Sequence, residues 1–277
     1  MFKSLLVPLM LGTVDDNALA LAGAIGARQG GFVTCLIGLN AVSPMVAGWD
    51  YFPAGEYDTL NETAKAAAAK MATQVNRELQ ECPVAHAVQV AGSFWLTPAE
   101  QATLHARLAD LIVLGRSKKT QEPERRLFGT LLMSAGRPIL IAPPTADATA
   151  AFERIVVAWK PTKEAARALH DAMPLLQMAK EIDLLTIAGR DSDQARLEDE
   201  DADIIDYFKH HDLTVSQVRR SRGDASSADE ILSYAARTNA DLIVAGGYGH
   251  ARATEQVFGG VTRSLYEKCQ IPVLFSH

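Results

Sequence analysis

Cysteine is scarce in this chain and nowhere paired: Cys35, Cys82 and Cys269 are odd in number, lie far apart and form no CxxC. That excludes a disulfide framework and offers no zinc-knuckle spacing, so reduced thiols in a cytoplasmic protein are expected. Positive charge is short as well. Lysine and arginine total 27 against 33 aspartates and glutamates, a net charge of −6. A nucleic-acid binder needs a basic stripe to neutralise phosphates, and none is present. No apolar run approaches the ~20 residues that cross a bilayer, so no membrane partner is expected. Met1-Phe2-Lys3-Ser4 and the run Leu5–Leu11 have the faint look of a secretion signal, but Pro8 interrupts the run and Asp15-Asp16 follow it without a cleavage site. A buried first strand is the better expectation. Neither GxxxxGK(S/T) nor GxSxG occurs, which removes P-loop and nucleophile-elbow chemistry. What remains is 277 residues, 48% hydrophobic and 22% charged, enough for one large globular domain or two ordinary ones.

The chain contains an internal repeat. Ala109-Asp110-Leu111-Ile112-Val113-Leu114-Gly115 matches Ala240-Asp241-Leu242-Ile243-Val244-Ala245-Gly246. Phe128-Gly129 and Phe258-Gly259 follow, then the proline-led runs Pro138–Ile141 and Pro272–Phe275. The starts correspond too, Lys3–Pro8 with Arg154–Trp159. Pro143–Ala151 reads as the linker, giving one repeat over 1–145 and a second over 151–277, each of usual domain size.

Within the second repeat, strand and helix patterns alternate. Ile155–Trp159 is a continuous apolar run, as in a strand buried on both faces. Thr162 can cap a helix from Lys163 to about Met178. Strands are expected at Glu181–Ala188, Leu213–Arg219 and Asp241–Ala245, with an acidic helix over Gln194–His210 between the first two. Ser227-x-x-Glu230 reads as a capping box opening Ala228–Thr238, and a helix Gly260–Lys268 precedes the last strand. The first repeat follows the same plan, with a capping box at Thr97-Pro98-Ala99-Glu100 and an inserted segment Asn40–Thr59 holding Trp49, Tyr51 and Phe52. Those aromatics either pack as a core satellite or cover the ligand edge. Such alternation predicts parallel strands with right-handed crossovers: an α/β chain of two tandem doubly wound, Rossmann-like sheets. Ligands then bind at the carboxyl ends of the strands, where strand order reverses.

The stretch most informative about chemistry is Gly246-Gly247-Tyr248-Gly249-His250, with Gly259-Gly260-Val261-Thr262 after eight intervening residues. Glycines between a strand and a helix let backbone N–H groups approach an anion, and the helix N-terminus adds free N–H groups and a positive dipole end. The glycines alone are equally explained by tight turns. The spacing Gly246-x2-Gly249-x9-Gly259, with Ala-Asp-Leu-Ile-Val before it and Ile-Pro-Val-Leu after it, resembles the nucleotide loop of the universal stress protein family. The resemblance covers essentially the whole chain as two copies, with the insertion as an extra. It implies an adenine-nucleotide α-hydrolase-like fold and ATP, with accompanying Mg, in the second repeat. It also implies an intramolecular pseudo-dimer through the last strands, with room for a further homodimer. The residues it places around the nucleotide are Trp159, Lys160, Pro161 and Thr162 after the first strand, Ile187 and Ala188 after the second, and Gly223 and Asp224 after the third. The loop adds Gly246, Gly249, His250, Gly259, Gly260, Val261 and Thr262.

Departures from that pattern leave a second reading open. Lys160 stands where an acidic residue is usual, and Gly260 where a Ser or Thr follows the last glycine. Lys160 can meet a phosphate but cannot accept a ribose hydroxyl bond. The chain is therefore either a nucleotide-binding stress regulator or a nucleotide-free module that binds partners. Slow ATP hydrolysis is the weakest reading, because nothing in the loop supplies a general base or a metal carboxylate beside the phosphates. The first repeat departs further. Arg116-Ser117-Lys118-Lys119 follows Gly115, so Lys118 replaces the second glycine. Gly129-Thr130 keeps a closing pair, but the stretch to Pro138 is shorter by about one helical turn than its counterpart. No ATP is expected there. His210-His211 and the acidic run Glu198–Asp203 have no metal spacing and read as solvated helix surface.

Overall fold

The computed structural model describes residues 1–13, 15–42, 54–144, 151–188, 203–221, 225–248 and 260–277. Two compact units, Met1–Ala150 and Ala151–His277, divide the chain. The first runs β1 (Ser4–Met10), α1 (Asp16–Gln29), β2 (Phe32–Asn40), α2 (Ala54–Gln80), β3 (Ala85–Ser93), α3 (Pro98–Ala106), β4 (Leu111–Gly115), α4 (Glu122–Ser134) and β5 (Ile139–Ala142). The second runs β6 (Arg154–Trp159), α5 (Lys163–Leu176), β7 (Glu181–Ala188), a helical stretch α6 over 203–210, β8 (Ser216–Ser221), α7 (Ser227–Thr238), β9 (Leu242–Gly246), α8 (Gly260–Lys268) and β10 (Val273–Ser276). Strand order is β3-β2-β1-β4-β5 in the first unit and β8-β7-β6-β9-β10 in the second. Within each unit every pairing is parallel. Each unit is thus a Rossmann-like sheet whose strand order reverses beside its first strand. Among the described residues no helix is long and apolar enough to cross a membrane.

The repeated Ala-Asp-Leu-Ile-Val block has a structural cause. Asp110 Oδ2 accepts from the backbone N–H of Lys3 at 2.7 Å and of Ser4 at 2.9 Å. Asp241 Oδ2 does the same for Glu153 at 2.9 Å and Arg154 at 2.8 Å. One carboxylate therefore holds the start of the central strand beside its neighbour and satisfies two N–H groups that the ladder has not yet reached. Asp241→Ala is expected to cost about 2 kcal/mol, read as a lower denaturant midpoint with an unchanged slope.

Several boundaries differ from the sequence expectation. The third strand of the second unit is Ser216–Ser221 rather than Leu213–Arg219. The helix expected from Ala228 starts at Ser227 and is capped by Ser226, whose hydroxyl accepts from Asp229 N at 3.1 Å. Aspartate three residues beyond a serine serves here in place of the Ser227-x-x-Glu230 pair. The final strands begin after their prolines, because proline has no N–H to donate. Pro138 and Pro272 still accept from Ile112 N and Ile243 N, both at 3.0 Å. The Thr97 capping box is present as expected, with Thr97 N donating to Glu100 Oε2 at 2.7 Å. Most of the inserted segment, including Trp49, Tyr51 and Phe52, lies outside the described residues, as does the acidic run 198–202. Tyr57, at the foot of α2, is 5% exposed and packs in the core.

Candidate functional site

Two adjacent strands, β6 and β9, end side by side at the reversal point of the second unit. Beyond β6 the chain turns tightly, with Thr162 N donating to Lys160 O at 2.7 Å. Lys160 and Pro161 are exposed there. Thr162 then caps α5, its hydroxyl accepting from Ala165 N at 3.4 Å. The first turn of α5 also holds Glu164, 6% exposed. Burial pushes its carboxyl up, but its own backbone N–H, the Thr162 hydroxyl and Lys163 outweigh that and hold it below the ordinary glutamate value.

Gly246 ends β9, and packing accounts for it. A Cβ there would lie 2.6 Å from Ala165 N and 2.7 Å from the Glu164 carbonyl carbon, both backbone atoms of α5. Gly115 does the same work in the first unit, where a Cβ would fall onto the Asp15 carboxylate. The next two N–H groups are already used. Gly247 N donates to Ser276 O at 2.8 Å, and Tyr248 N donates to Thr262 Oγ1 at 3.2 Å. Tyr248 takes a left-handed conformation, φ 59°. Thr262 is 3% exposed, so its hydroxyl staples the start of the loop to the first turn of α8. The Tyr248 ring stands edge-on to His277 at 6.2 Å, and burial raises its phenol pKa. At the other end of the loop Gly260 has nothing within 4 Å of a Cβ position, and Val261 is 39% exposed. Gly223, Asp224, Gly249, His250 and Gly259 lie outside the described residues.

Sequence reading named Trp159 but missed Thr186 beside it. Trp159 and Thr186 are register partners on β6 and β7, so their side chains share a face. The Trp159 indole nitrogen and the Thr186 hydroxyl are both buried without a hydrogen-bond partner among the described residues. The structure shifts the sequence match of the two first strands by one residue, Ser4 rather than Lys3 standing where Arg154 does, so the corresponding partners in the first unit are Leu9 and Ile37, 5% and 0% exposed. Ile187 and Ala188 follow Thr186, each half-buried. The signal was a polar residue inside the otherwise apolar run Leu184-Leu185-Thr186-Ile187.

The first unit's edge is built from opposite charge. α1 opens with Asp15 and Asp16 where α5 has Thr162 and Lys163. Asp15 Oδ1 accepts from Ala18 N at 3.0 Å. Burial raises its pKa, and the charges of Asp16 and Glu124 add to the rise against backbone hydrogen bonds from Ala18 and Asn17. Glu124, in the first turn of α4, takes the Gln121 N–H at 3.4 Å and lies 2.9 Å from Ser117 Oγ. A side-chain carboxylate thus occupies the helix N-terminus at which an anion would otherwise bind. The loop before α4 is only residues 116–121; in the second unit 249–259, between Tyr248 and Gly260, lie outside the described residues. Gly129-Thr130 does not close that loop as the sequence suggested. It lies inside α4, beside the fully buried Phe128, because Pro123 and the Gln121–Glu124 pairing start the helix earlier. α4 therefore begins seven residues ahead of Gly129.

A raised carboxyl pKa of this kind has a sign that can be checked. A carboxyl whose folded pKa exceeds its unfolded value loses stability as pH rises through the interval between them. Asp15→Asn keeps the N-cap acceptor and removes the charge. It is expected to raise the melting temperature at pH 7, with the gain closing once pH falls below the ordinary aspartate value of 3.8. Thermal melts of both proteins across pH check it.

The family description matched by the sequence is "Universal stress protein family", over residues 151–277. Among solved structures, a universal stress protein from Archaeoglobus fulgidus is 17% identical, with 99% of this chain and 96% of that chain covered at a TM-score of 0.72. A functionally unknown protein from Pseudomonas aeruginosa is 11% identical, covering 99% and 92%, at 0.63. Another Pseudomonas aeruginosa structure, titled as belonging to the universal stress proteins, is 14% identical, covering 99% and 93%, at 0.61. At these identities the likeness is one of fold. No curated protein matches the sequence.

Proposed function

Since the second unit belongs to the universal stress protein family, we propose that it binds an adenine nucleotide, ATP foremost, and that the first unit does not. The observation that carries this reading is the contrast between the two carboxyl edges. In the second unit an exposed lysine, Lys160, follows β6, and thirteen residues, 247–259, lie between the end of β9 and Gly260. In the first unit Asp15, Asp16 and Glu124 hold that ground and the loop is half as long.

Each residue has a distinct part in this reading. Phosphates lie against the backbone N–H groups between Gly249 and Val261, since those of Gly247 and Tyr248 are already used within the fold. Lys160 meets them as a point charge. Thr262 acts through the Tyr248 N–H, and Gly246 serves packing. Trp159, Ile187 and Ala188 border the base, with Gly223 and Asp224 completing the rim. Gly260 offers room for close approach where a side chain would stand. The role in this reading is that of a regulator rather than a catalyst.

Calorimetric titration of the full chain with ATP and Mg tests this. One site per chain is expected, with affinity falling as salt rises because the contacts are to phosphate. Adenine nucleotide released by acid from the purified protein is expected at the same ratio. Two sites per chain, or no heat at all with no nucleotide released, overturns the reading.

A further inference from the structure

The outer strands of the two units differ in a way that nucleotide binding does not explain. β8, on the edge of the second unit, is six residues long and carries Arg219 and Arg220. Pairing such a strand antiparallel with a copy of itself gathers four guanidinium groups on one short ladder, the like-charge opposition that keeps natural edges single. β3, on the edge of the first unit, has no such guard. Its nine residues, AHAVQVAGS, include no Lys, Arg, Asp, Glu or Pro. Among the described residues it pairs with β2 alone. Val90 is 45% exposed, and directly after the strand Phe94 is 48% and Trp95 78% exposed. A long, neutral, partly apolar edge is the arrangement that recruits another strand.

The composition of β3 also says which strand fits it. About Gln89 the sequence is self-complementary. With two copies antiparallel across a two-fold axis through that residue, Val88 faces Val90 of the second copy, Ala87 faces Ala91, His86 faces Gly92 and Ala85 faces Ser93. Gln89 meets Gln89, and each amide both donates and accepts across the axis. No like charges meet in this register. We propose that β3 is a self-association edge through which two copies of this chain pair antiparallel, centred on Gln89.

Sedimentation velocity of the full chain, with and without ATP, tests the pairing independently of nucleotide binding. The wild-type chain is expected to dimerise in either condition. Gln89→Lys, at an exposed position, sets two ammonium groups face to face and is expected to raise the dimer dissociation constant at least about tenfold. Gln217→Lys on β8 leaves the dimer unchanged. Gln89→Cys is expected to form an 89–89 disulfide on mild oxidation, since directly opposed Cβ atoms lie ~4.5–5.5 Å apart and need little movement to bridge. A wild-type monomer up to about 100 μM overturns the proposal. So does a dimer that neither Gln89→Lys weakens nor Gln89→Cys traps. A monomer that takes up a foreign extended peptide along β3 also overturns it, and assigns the edge to strand capture from another protein.

Discussion

Gly246→Val is expected to purify, if at all, with its second unit loosened or unfolded. The smallest side chain already meets trouble. A Cβ would lie 2.6 Å from Ala165 N and 2.7 Å from the carbonyl carbon of Glu164. Both are backbone atoms, so no rotamer change relieves the overlap. Neither partner is free to retreat. β9 is held in register on both sides, Gly246 by Ser276 and the preceding residues by β6. α5 is fixed at the same turn by its Thr162 cap. Overpacking against side chains typically costs 1–3 kcal/mol, and against backbone the upper end is expected for Ala, about 3 kcal/mol, with Val above it. A loss of that size in a protein stabilised by about 5–15 kcal/mol lowers the melting temperature by roughly 6–12 °C for Ala. Gly260→Ala is the matched control. Nothing lies within 4 Å of its Cβ position, and alanine favours the helix that starts there. It is expected to leave stability equal or slightly higher. Thermal melts of the three proteins decide the matter, and an unperturbed Gly246→Ala would contradict the packing explanation.

Gly249→Lys is expected to abolish calorimetrically detectable ATP binding, a loss of at least about 100-fold. The substitution copies the first unit, where Lys118 stands three residues after Gly115 as Gly249 stands three after Gly246. A long side chain then occupies ground that the backbone needs for direct approach to phosphate. Added positive charge alone would strengthen anion binding, so a loss of affinity separates the steric requirement from the electrostatic one. The converse change, Lys118→Gly, is expected to leave binding at one site per chain. Removing that side chain neither lengthens the loop over 116–121 nor removes Asp15 and Glu124 from the edge. Equal affinity of the wild type and Gly249→Lys would remove the loop from the site. A second site in Lys118→Gly would show that the first unit's edge is closed by Lys118 alone.

Much of the fold was legible because it rests on patterns that neighbouring residues impose on each other. Continuous apolar runs such as Ile155–Val157, N-caps such as Thr162 and Thr97, and the alternation of strand and helix are local features with local causes. The repeat made the two-unit plan visible, since the same blocks recur in the same order. The errors lie where two local patterns compete for the same turn. Ser226, not Ser227, caps α7 because its hydroxyl accepts from Asp229 N at 3.1 Å and donates to Asp229 Oδ2 at 2.6 Å. Gly129 resembled the closing glycine of the second repeat, yet it lies inside α4 because capping at Gln121 starts that helix upstream.

The division is the same at the candidate site. Residue order by itself determined the α/β class, the pair of Rossmann-like units, the edge at which a ligand would bind and the loss of loop glycines in the first unit, because strand length, glycine spacing and capping are written in adjacent positions. Only tertiary structure decided what each residue does there. It placed Gly246 against the backbone of α5, bound the Thr262 hydroxyl to Tyr248 N, left Trp159 and Thr186 with unmatched polar atoms, and set Glu124 in the anion position of the first unit. These assignments depend on atoms from elements far apart in sequence meeting within about 3 Å, the range in which a hydrogen bond forms or a Cβ no longer fits.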